Sequence, residues 1–386
     1  MTALRVGFDT GPLFGPKTGV GFAVEAMHSA LAARDDLELV DYVLSLRARP
    51  EPPTRKLPLP AALAHRLWAR GDRPQADRWL HDVQVVHGTN YVVPPSRLPR
   101  LVSVYDCWFL HHPEDASPAV RLAGKVLRRA VAGGAVVHTS SHATNRAVRE
   151  LMPGASVHTV HLAPLDLPPP PATSPIPELT TRPFVVAIGT LERRKNLPLL
   201  VKAFGVLAKE QAGVRLVLAG GDGDDRDAIH DAIDALGSNA HRVMFTGRID
   251  EGVRSWLLHH AAVLAYPSLD EGFGFPLLDA MQAGVPVVAS DAGSIPEVAG
   301  DAALLCPPTD VEGLARNLAV AINSPSVRAD LVAAGARRLQ HFTWQRCAAE
   351  MAELYRLVAA GDPGDGNVTG TGDGTGTGDG TGTEHA

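Results

Sequence analysis

Two carboxylates, Glu271 and Asp279, bracket a glycine- and proline-rich segment, DEGFGFPLLDAM at 270–281. Gly272 and Gly274 allow close backbone approach and positive φ. Pro276 suits the start of a helix, where its missing N–H costs nothing. Such a start leaves unpaired N–H groups, here those of Leu277 and Leu278 among them. Together with the helix dipole they make an anion site suited to a phosphate. Carboxylates beside an anion site do not bind the anion. They accept hydrogen bonds from hydroxyls, as on a sugar or a ribose. The plainer alternative is a βα turn that carries surface acids.

A second segment, GTLERRKN at 189–196, places Arg193, Arg194 and Lys195 where a helix should open. Cations there oppose the helix dipole by about 0.3–1 kcal/mol. An oligophosphate shared with the Glu271 loop would offset that. A solvated cluster paired with Glu192 is the alternative. Asp222-Gly223-Asp224 has the D-x-D form of a metal site. It follows Gly220-Gly221 at an expected strand end, however, and is read as a cap of the next helix. His111, His112, His138, His142, His158 and His161 show no metal-ligand spacing, and His259-His260 reads as a helix end. No metal is expected.

These segments need scaffolding, and the chain supplies it twice. In the first stretch, strands are expected at 4–8, 37–44, 83–86, 101–104 and 135–139. A Gly/Pro-rich loop fills 9–21, a helix 22–33, and Ser141 caps a helix that runs to Leu151. Seven prolines between Pro164 and Pro177 exclude helix and central strand, which marks a linker. In the second stretch, strands are expected at 184–188, 214–219, 243–245, 262–265 and 285–289. Helices fall at 197–209 and 276–283, the latter ended by Gly284. Strands alternating with helices imply parallel βαβ units. The expected architecture is α/β, with two doubly wound Rossmann-like domains facing a cleft. The bounds are 1–166, a linker at 167–183, and a second domain at 184–340. A docking helix follows at 341–361, with its pattern over 343–359, and then a tail at 362–386. Ligands bind outside the carboxyl ends of such strands, so the cleft is the expected site.

Composition narrows the classes. The 386 residues are 45% hydrophobic and 20% charged, too apolar for disorder throughout. Three cysteines, Cys107, Cys306 and Cys347, form no disulfide scaffold and fit a reducing compartment. No apolar run reaches the ~18 residues of a membrane span, and no signal-peptide core follows the first strand. A cytoplasmic protein is expected. The net charge of −6 argues against a nucleic-acid partner. Most of that charge sits in the Gly/Thr/Asp tail, on Asp362, Asp365, Asp373, Asp379 and Glu384. The tail is expected to be a flexible linker. It also holds a sequon at Asn367, without meaning unless the chain is secreted. The Arg- and Pro-rich stretch from Arg47 to Arg78, with Trp68 and Trp79 near its end, reads as a membrane-surface or anionic-acceptor patch, or as solvated surface.

The Glu271–Asp279 segment resembles the E-x7-E motif of retaining glycosyltransferases of family 4, the mannosyltransferase-like group 1 enzymes of GT-B fold. The resemblance continues through GVPVVAS at 284–290, SIPE at 294–297 and AGDAA at 299–303. Residues 189–196 resemble the family's phosphate segment, and Gly19-Val20-Gly21 its N-terminal glycine loop. His87 to Asn90 and Asp106 also sit in familiar contexts. The match runs from about residue 4 to about residue 360 and is strongest in the second half.

The resemblance implies a sugar nucleotide held by the second domain and an acceptor held by the first. Arg194 and Lys195 would hold the diphosphate, and Glu271 the donor-sugar hydroxyls. Asp106 joins these three as a catalytic candidate. Gly19, Gly21, Gly189 and Thr190 would line the donor cleft, and Arg248 and Ile249 would edge the base pocket. The backbone of Phe273, Gly274, Phe275, Pro276 and Leu277 would face sugar and phosphate, and Asp279 would bind the ribose. Two positions depart from the pattern. Asp279 stands for Glu, one methylene shorter. Tyr105 stands where many members have His, and it cannot relay a proton as imidazole does. The resemblance implies retention at the anomeric carbon, without a cofactor. GDP-mannose is the expected donor, with UDP- and dTDP-sugars as alternatives. The acceptor is a glycan, a lipid-linked carrier or a small metabolite, with peripheral contact at the inner face of a membrane. A non-catalytic sugar-nucleotide or glycan-binding protein is the competing reading. A dinucleotide enzyme would need G-x-G-x-x-G after the first strand, and residues 9–15 lack it.

Overall fold

The computed structural model describes residues 3–15, 18–45 and 48–361. The tail, its sequon and Arg47 lie outside the described residues. The first sheet contains β1 (Leu4–Asp9), β2 (Leu37–Leu44), β3 (Arg55–Leu57), β4 (Val85–Gly88), β5 (Arg100–Val104), β6 (Val136–Thr139) and β7 (Val157–Thr159). Its helices are α1 (Gly19–Ala32), α2 (Ala61–Trp68), α3 (Trp108–His111), α4 (Pro118–Ala132) and α5 (His142–Leu151). The second sheet contains β8 (Phe184–Ile188), β9 (Arg215–Ala219), β10 (Val243–Gly247), β11 (Val263–Tyr266), β12 (Val287–Ser290) and β13 (Ala303–Cys306). Around it lie α6 (Leu197–Glu210), α7 (Arg226–Asp234), α8 (Glu251–His260), α9 (Phe275–Gln282), α10 (Ile295–Ala299), α11 (Val311–Asn323) and α12 (Pro325–Leu339). The last element is α13 (Trp344–Ala360).

Every strand pair is parallel, with registers such as Val6 against Val85 and Val263 against Val185. Both faces of each sheet are covered, so central strands such as β4, β6, β11 and β12 are buried at every position. That is why they read as apolar runs without alternation. The strand orders are β3-β2-β1-β4-β5-β6-β7 and β10-β9-β8-β11-β12-β13. Each order reverses at one place, between β1 and β4 and between β8 and β11. A crevice opens outside the carboxyl ends at such a point. Asp9 ends β1 and Asn90 follows β4 at the first reversal, and Gly189 and Glu271 follow the strands at the second.

The helix α13 crosses back onto the first half, packing on α1. Its buried Tyr355 hydroxyl meets His87 Nδ1 at 2.8 Å. His87 Nε2, Ser103 Oγ and His138 Nδ1 continue the chain in 2.8 Å steps, and His138 Nε2 ends on the Val160 carbonyl at 3.1 Å. The histidines flagged by sequence are therefore partly structural.

Several expectations need correction. The helix expected at 22–33 begins at Gly19, and the strand expected at 83–86 is β4, two residues later. The elements β3, β7, β13, α2, α3, α4, α10, α11 and α12 were not anticipated. Most of the Arg-rich stretch is folded edge: Arg55 pairs with Asp82 at 2.5 Å, and Trp68 is buried with its indole N–H on the Pro74 carbonyl. The Pro-rich segment lacks regular structure until a short 3-10 turn at Pro177–Leu179, but it is tied down. Trp344 donates to the Pro164 carbonyl, Arg254 to that of Asp166, and Ser255 to that of Pro168. Asp222 and Asp224 do not cap α7. Asp222 pairs with Arg226, and Asp224 accepts the Arg193 N–H at 2.9 Å. The three cysteines are buried and free. Among the described residues, no helix is long and apolar enough to cross a membrane.

Candidate active site

Glu271 follows β11, and Arg194 and Lys195 follow β8, so adjacent strands bring them together. Lys195 Nζ donates to Glu271 Oε1 at 2.6 Å and to the Tyr266 hydroxyl at 3.1 Å. Arg194 Nη1 donates to Glu271 Oε2 at 2.5 Å and to the Asp270 carbonyl at 3.0 Å. Its Nη2 reaches Glu192 Oε1 at 2.7 Å. Glu271 is only 6% exposed. Burial alone would raise its carboxyl, but Arg194 and Lys195 outweigh that and hold it down to about 2. Burial lowers the Lys195 ammonium, and Glu271 opposes the shift. The cations counted from the sequence are thus already met by Glu271 and Glu192, while Arg193 turns outward to Asp115 at 3.2 Å. They do not open the helix directly: they form a 3-10 turn, and Asn196 at φ 54° begins α6. Asn196 is fixed there by amide bonds to the carbonyls of Pro267 and Pro308.

Glycines allow the close approaches. A Cβ at Gly220 would overlap the Gly189 carbonyl, and one at Gly189, whose φ is 148°, would come 3.2 Å from the Lys195 stem. A Cβ at Gly272 would overlap the Tyr105 carbonyl of the first half. Ser140 and Thr144 donate to the Gly272 carbonyl at 3.3 and 3.4 Å, so the loop from Glu271 to Asp279 is seated against the first half. Gly274 at φ 96° is the N-cap of α9, with Pro276 in the first turn. The Leu277 N–H, expected to be unpaired, donates to the Gly274 carbonyl at 3.0 Å. Phe273 is buried with its ring against Phe275 and Phe342.

Asp279 is buried and ion-paired with Arg254 of α8, a partner the sequence reading missed. Arg254 also holds Glu251 and the Asp166 carbonyl, linking Asp279 to the interdomain segment. Asp279 Oδ1 has no partner among the described residues, and burial pushes the carboxyl up to about 7 against the pull of Arg254.

On the opposite side, a cavity of about 620 Å³ sits at the carboxyl ends of β1 and β4. Asp9, Asp106, Tyr91, Trp108 and Phe109 line it, and Glu192 and Arg194 of the second half also contribute to its wall. Arg194 therefore belongs both to this cavity and to the Glu271 cluster. Tyr91 holds φ 58°, strained for a side chain of its size, and its hydroxyl donates to Asp106 Oδ2 at 3.1 Å. Asp106 Oδ1 accepts the Trp108 N–H at 3.1 Å. Tyr105 is buried in the core, so of the Tyr-Asp pair Asp106 faces the cavity.

Other predicted residues stand apart. Gly19 is exposed and Gly21 buried in the first turn of α1; Thr190 and Arg248 are exposed and Ile249 half-buried. Among the described residues no hydrogen bond or ion pair joins Gly19, Gly21, Arg248 or Ile249 to the Glu271 cluster. Glu297, quoted above only within a motif, ties the halves together. It accepts the N–H groups of His142 and Ala143 at 2.7 and 3.0 Å and meets His161 Nε2 at 2.7 Å. These bonds occupy both oxygens of a His142–His161–Glu297 group whose ligand atoms lie within 4.8 Å of one another. His112, Glu114 and Asp115 form a second such group, with Asp115 engaged by Arg193.

Residues 173–338 match the family model described as Glycosyl transferases group 1. The O-antigen chain mannosyltransferase B of Escherichia coli is 28% identical over 392 residues, spanning 92% of this chain and all of that protein. Among solved structures, sucrose-phosphate synthase from Thermosynechococcus elongatus superposes with a TM-score of 0.69 at 20% identity, covering 94% of this chain and 100% of that one. Anabaena HepE, solved in complex with UDP-glucose, does so with a TM-score of 0.67 at 18% identity, covering 92% and 99%. By its two parallel sheets and these superpositions the chain has the GT-B fold, and its residues 173–338 match the glycosyl transferases group 1 model.

Proposed function

We propose that the protein is a retaining glycosyltransferase of family 4 that moves mannose from GDP-mannose to a glycan acceptor. One observation carries this reading: Arg194 joins the Glu271–Lys195 cluster to the wall of the first-domain cavity. A donor at the cluster and an acceptor in the cavity would meet there. The relationship to an O-antigen chain mannosyltransferase over its full length supports the choice of sugar and of a glycan acceptor. The UDP-glucose complex of a structure with the same fold supports a sugar-nucleotide donor.

In this reading Glu271, fixed as an anion by its two cations, accepts hydroxyls of the donor sugar. Lys195 and Arg194 also face the diphosphate, and the positive end of α9 lies on the same loop. They stabilise the charge that develops on the leaving nucleoside diphosphate. The glycosidic C–O bond to phosphate breaks as the acceptor oxygen bonds to the same face of the anomeric carbon. The leaving phosphate takes the acceptor proton. Asp106 orients the acceptor hydroxyl, and Asp279 accepts from the ribose. No step is assigned to a metal ion.

A thermal-shift screen against GDP, UDP, ADP and dTDP tests the donor. A ligand at 100 times its dissociation constant adds about 2.7 kcal/mol of stability. GDP should raise the midpoint of the wild type by a few degrees and that of Lys195→Ala by much less. A shift by another diphosphate alone would replace the donor. No shift by any would remove the reading.

A further inference from the structure

The first-domain cavity has an unusual charge inventory. Asp9, at the end of β1, and Asp106 both line it, and among the described residues neither meets a cation at ion-pair distance. Asp9 Oδ1 accepts the Gly11 N–H at 2.8 Å, and Asp106 is held by Tyr91 and Trp108. The cation on the wall, Arg194, is paired with Glu271 and Glu192 and in the reading above serves the donor diphosphate. His65, also on the wall, is kept neutral by burial, which lowers its pKa. The remaining lining is mainly aromatic and aliphatic, with Tyr91, Trp108 and Phe109 prominent, and Asn90 adds one neutral amide.

Burial raises the Asp9 carboxyl to about 7, so above that pH it joins Asp106 as an acceptor, and the two beside aromatic faces have a definite preference. A phosphate or carboxylate brought into this cavity would meet like charge with no free donor cation, at a cost that grows in a partly buried site. A neutral pyranose meets the opposite conditions. Its hydroxyls donate to the carboxylates, and its C–H face lies on the aromatic rings.

We infer that the acceptor end received by this cavity is a neutral, unphosphorylated pyranose of a glycan, selected against anionic acceptors by Asp9 together with Asp106. This rests on the transferase reading above, whose donor site lies across the cleft. Asp9 is the specificity-determining member, because it lies at the β1 end of the cavity, away from the donor cluster in the fold.

The test is direct binding to the full chain at pH 8, where Asp9 is ionised, without donor, read by tryptophan fluorescence, since Trp68 and Trp108 line the cavity. The probes are methyl α-mannopyranoside and methyl α-glucopyranoside, mannose 6-phosphate, and phosphatidylinositol vesicles. At least one neutral glycoside should bind ten times or more tighter than mannose 6-phosphate, and vesicles should not compete. Asp9→Asn should narrow the preference several-fold while the GDP thermal shift stays as in wild type. Equal or tighter binding of the phosphorylated sugar or the vesicles overturns the inference, and so does nucleotide binding with no neutral glycoside bound. Glycoside binding without any nucleotide shift would instead remove the transferase reading and leave a glycan-binding cavity.

Discussion

Lys195 Nζ rests 2.6 Å from Glu271 Oε1, a contact between neighbouring strand-end loops in a site where Glu271 is almost wholly buried. Breaking a buried pair by removing one partner is expensive, typically about 3–5 kcal/mol. Arg194 remains on the other oxygen, so the loss in Lys195→Ala should be smaller, about 1–3 kcal/mol. The variant should melt a few degrees lower by calorimetry. An unchanged midpoint would mean that the pair contributes nothing in solution.

Gly272→Ala tests how the loop is seated. The added Cβ would overlap the Tyr105 carbonyl, which is backbone and cannot swing aside. The loop must move away from the first domain, shifting Glu271 relative to Asp106. Transfer should fall at least 100-fold, in line with the sensitivity of positioned groups to ångström displacements. GDP binding should persist in part, because Lys195 and Arg194 are untouched. Wild-type turnover in this variant would contradict the seating.

Arg254 is predicted to position the proposed ribose carboxylate. Arg254→Ala leaves Asp279 buried without its cation and frees one hold on the Asp166 carbonyl. Asp279 then protonates more readily, and nucleotide affinity should fall about tenfold, which corresponds to ~1.4 kcal/mol. Titration calorimetry at pH 6 and pH 8 reads this. The variant's loss should be larger at pH 8, where the wild-type Asp279, raised only to about 7, is ionised and the variant's, without Arg254, is still protonated. Equal losses at both values would detach Arg254 from the ionisation of Asp279.

Burial raises Asp9 to about 7, against an ordinary aspartate near 4 in the unfolded chain. Between those values the native state binds a proton that the unfolded state releases. Acidification from pH 7 to pH 5 therefore stabilises the wild type through Asp9 by up to about 1.4 kcal/mol per pH unit. Asn carries no such proton. The stability of Asp9→Asn relative to wild type should be highest above pH 7 and shrink as pH falls to 5. A pH-independent difference in melting temperature would show that Asp9 is not forced upward.

The α/β character was legible because buried parallel strands read as apolar runs, as in β8 and β12, and because Ser141 announces α5 by its capping bond to the Thr144 N–H. The Glu271–Asp279 loop was legible because Gly272, Gly274 and Pro276 each answer a backbone demand. What escaped was set by tertiary pairing. The edge strand β3 has three residues and little pattern of its own. The Leu277 N–H turned inward to Gly274, which no spacing announces. Arg254 lies 25 positions from Asp279 on another helix, and Glu297 caps α5 from the other domain, so neither role leaves a local trace. The cation cluster was read as awaiting phosphate, whereas Glu271 and Glu192 meet it first. Asp9 was passed over as the start of a loop, and its importance emerges only from the reversal of strand order beside it.

Retaining transfer of mannose from GDP-mannose can be followed by a proton NMR time course of the purified chain with α-linked GDP-mannose and a neutral mannoside. Release of GDP should proceed in step with a new α-linked anomeric signal, both lost in Glu271→Ala. A β-linked product, or nucleotide binding with no turnover of donor under any neutral acceptor, would contradict it.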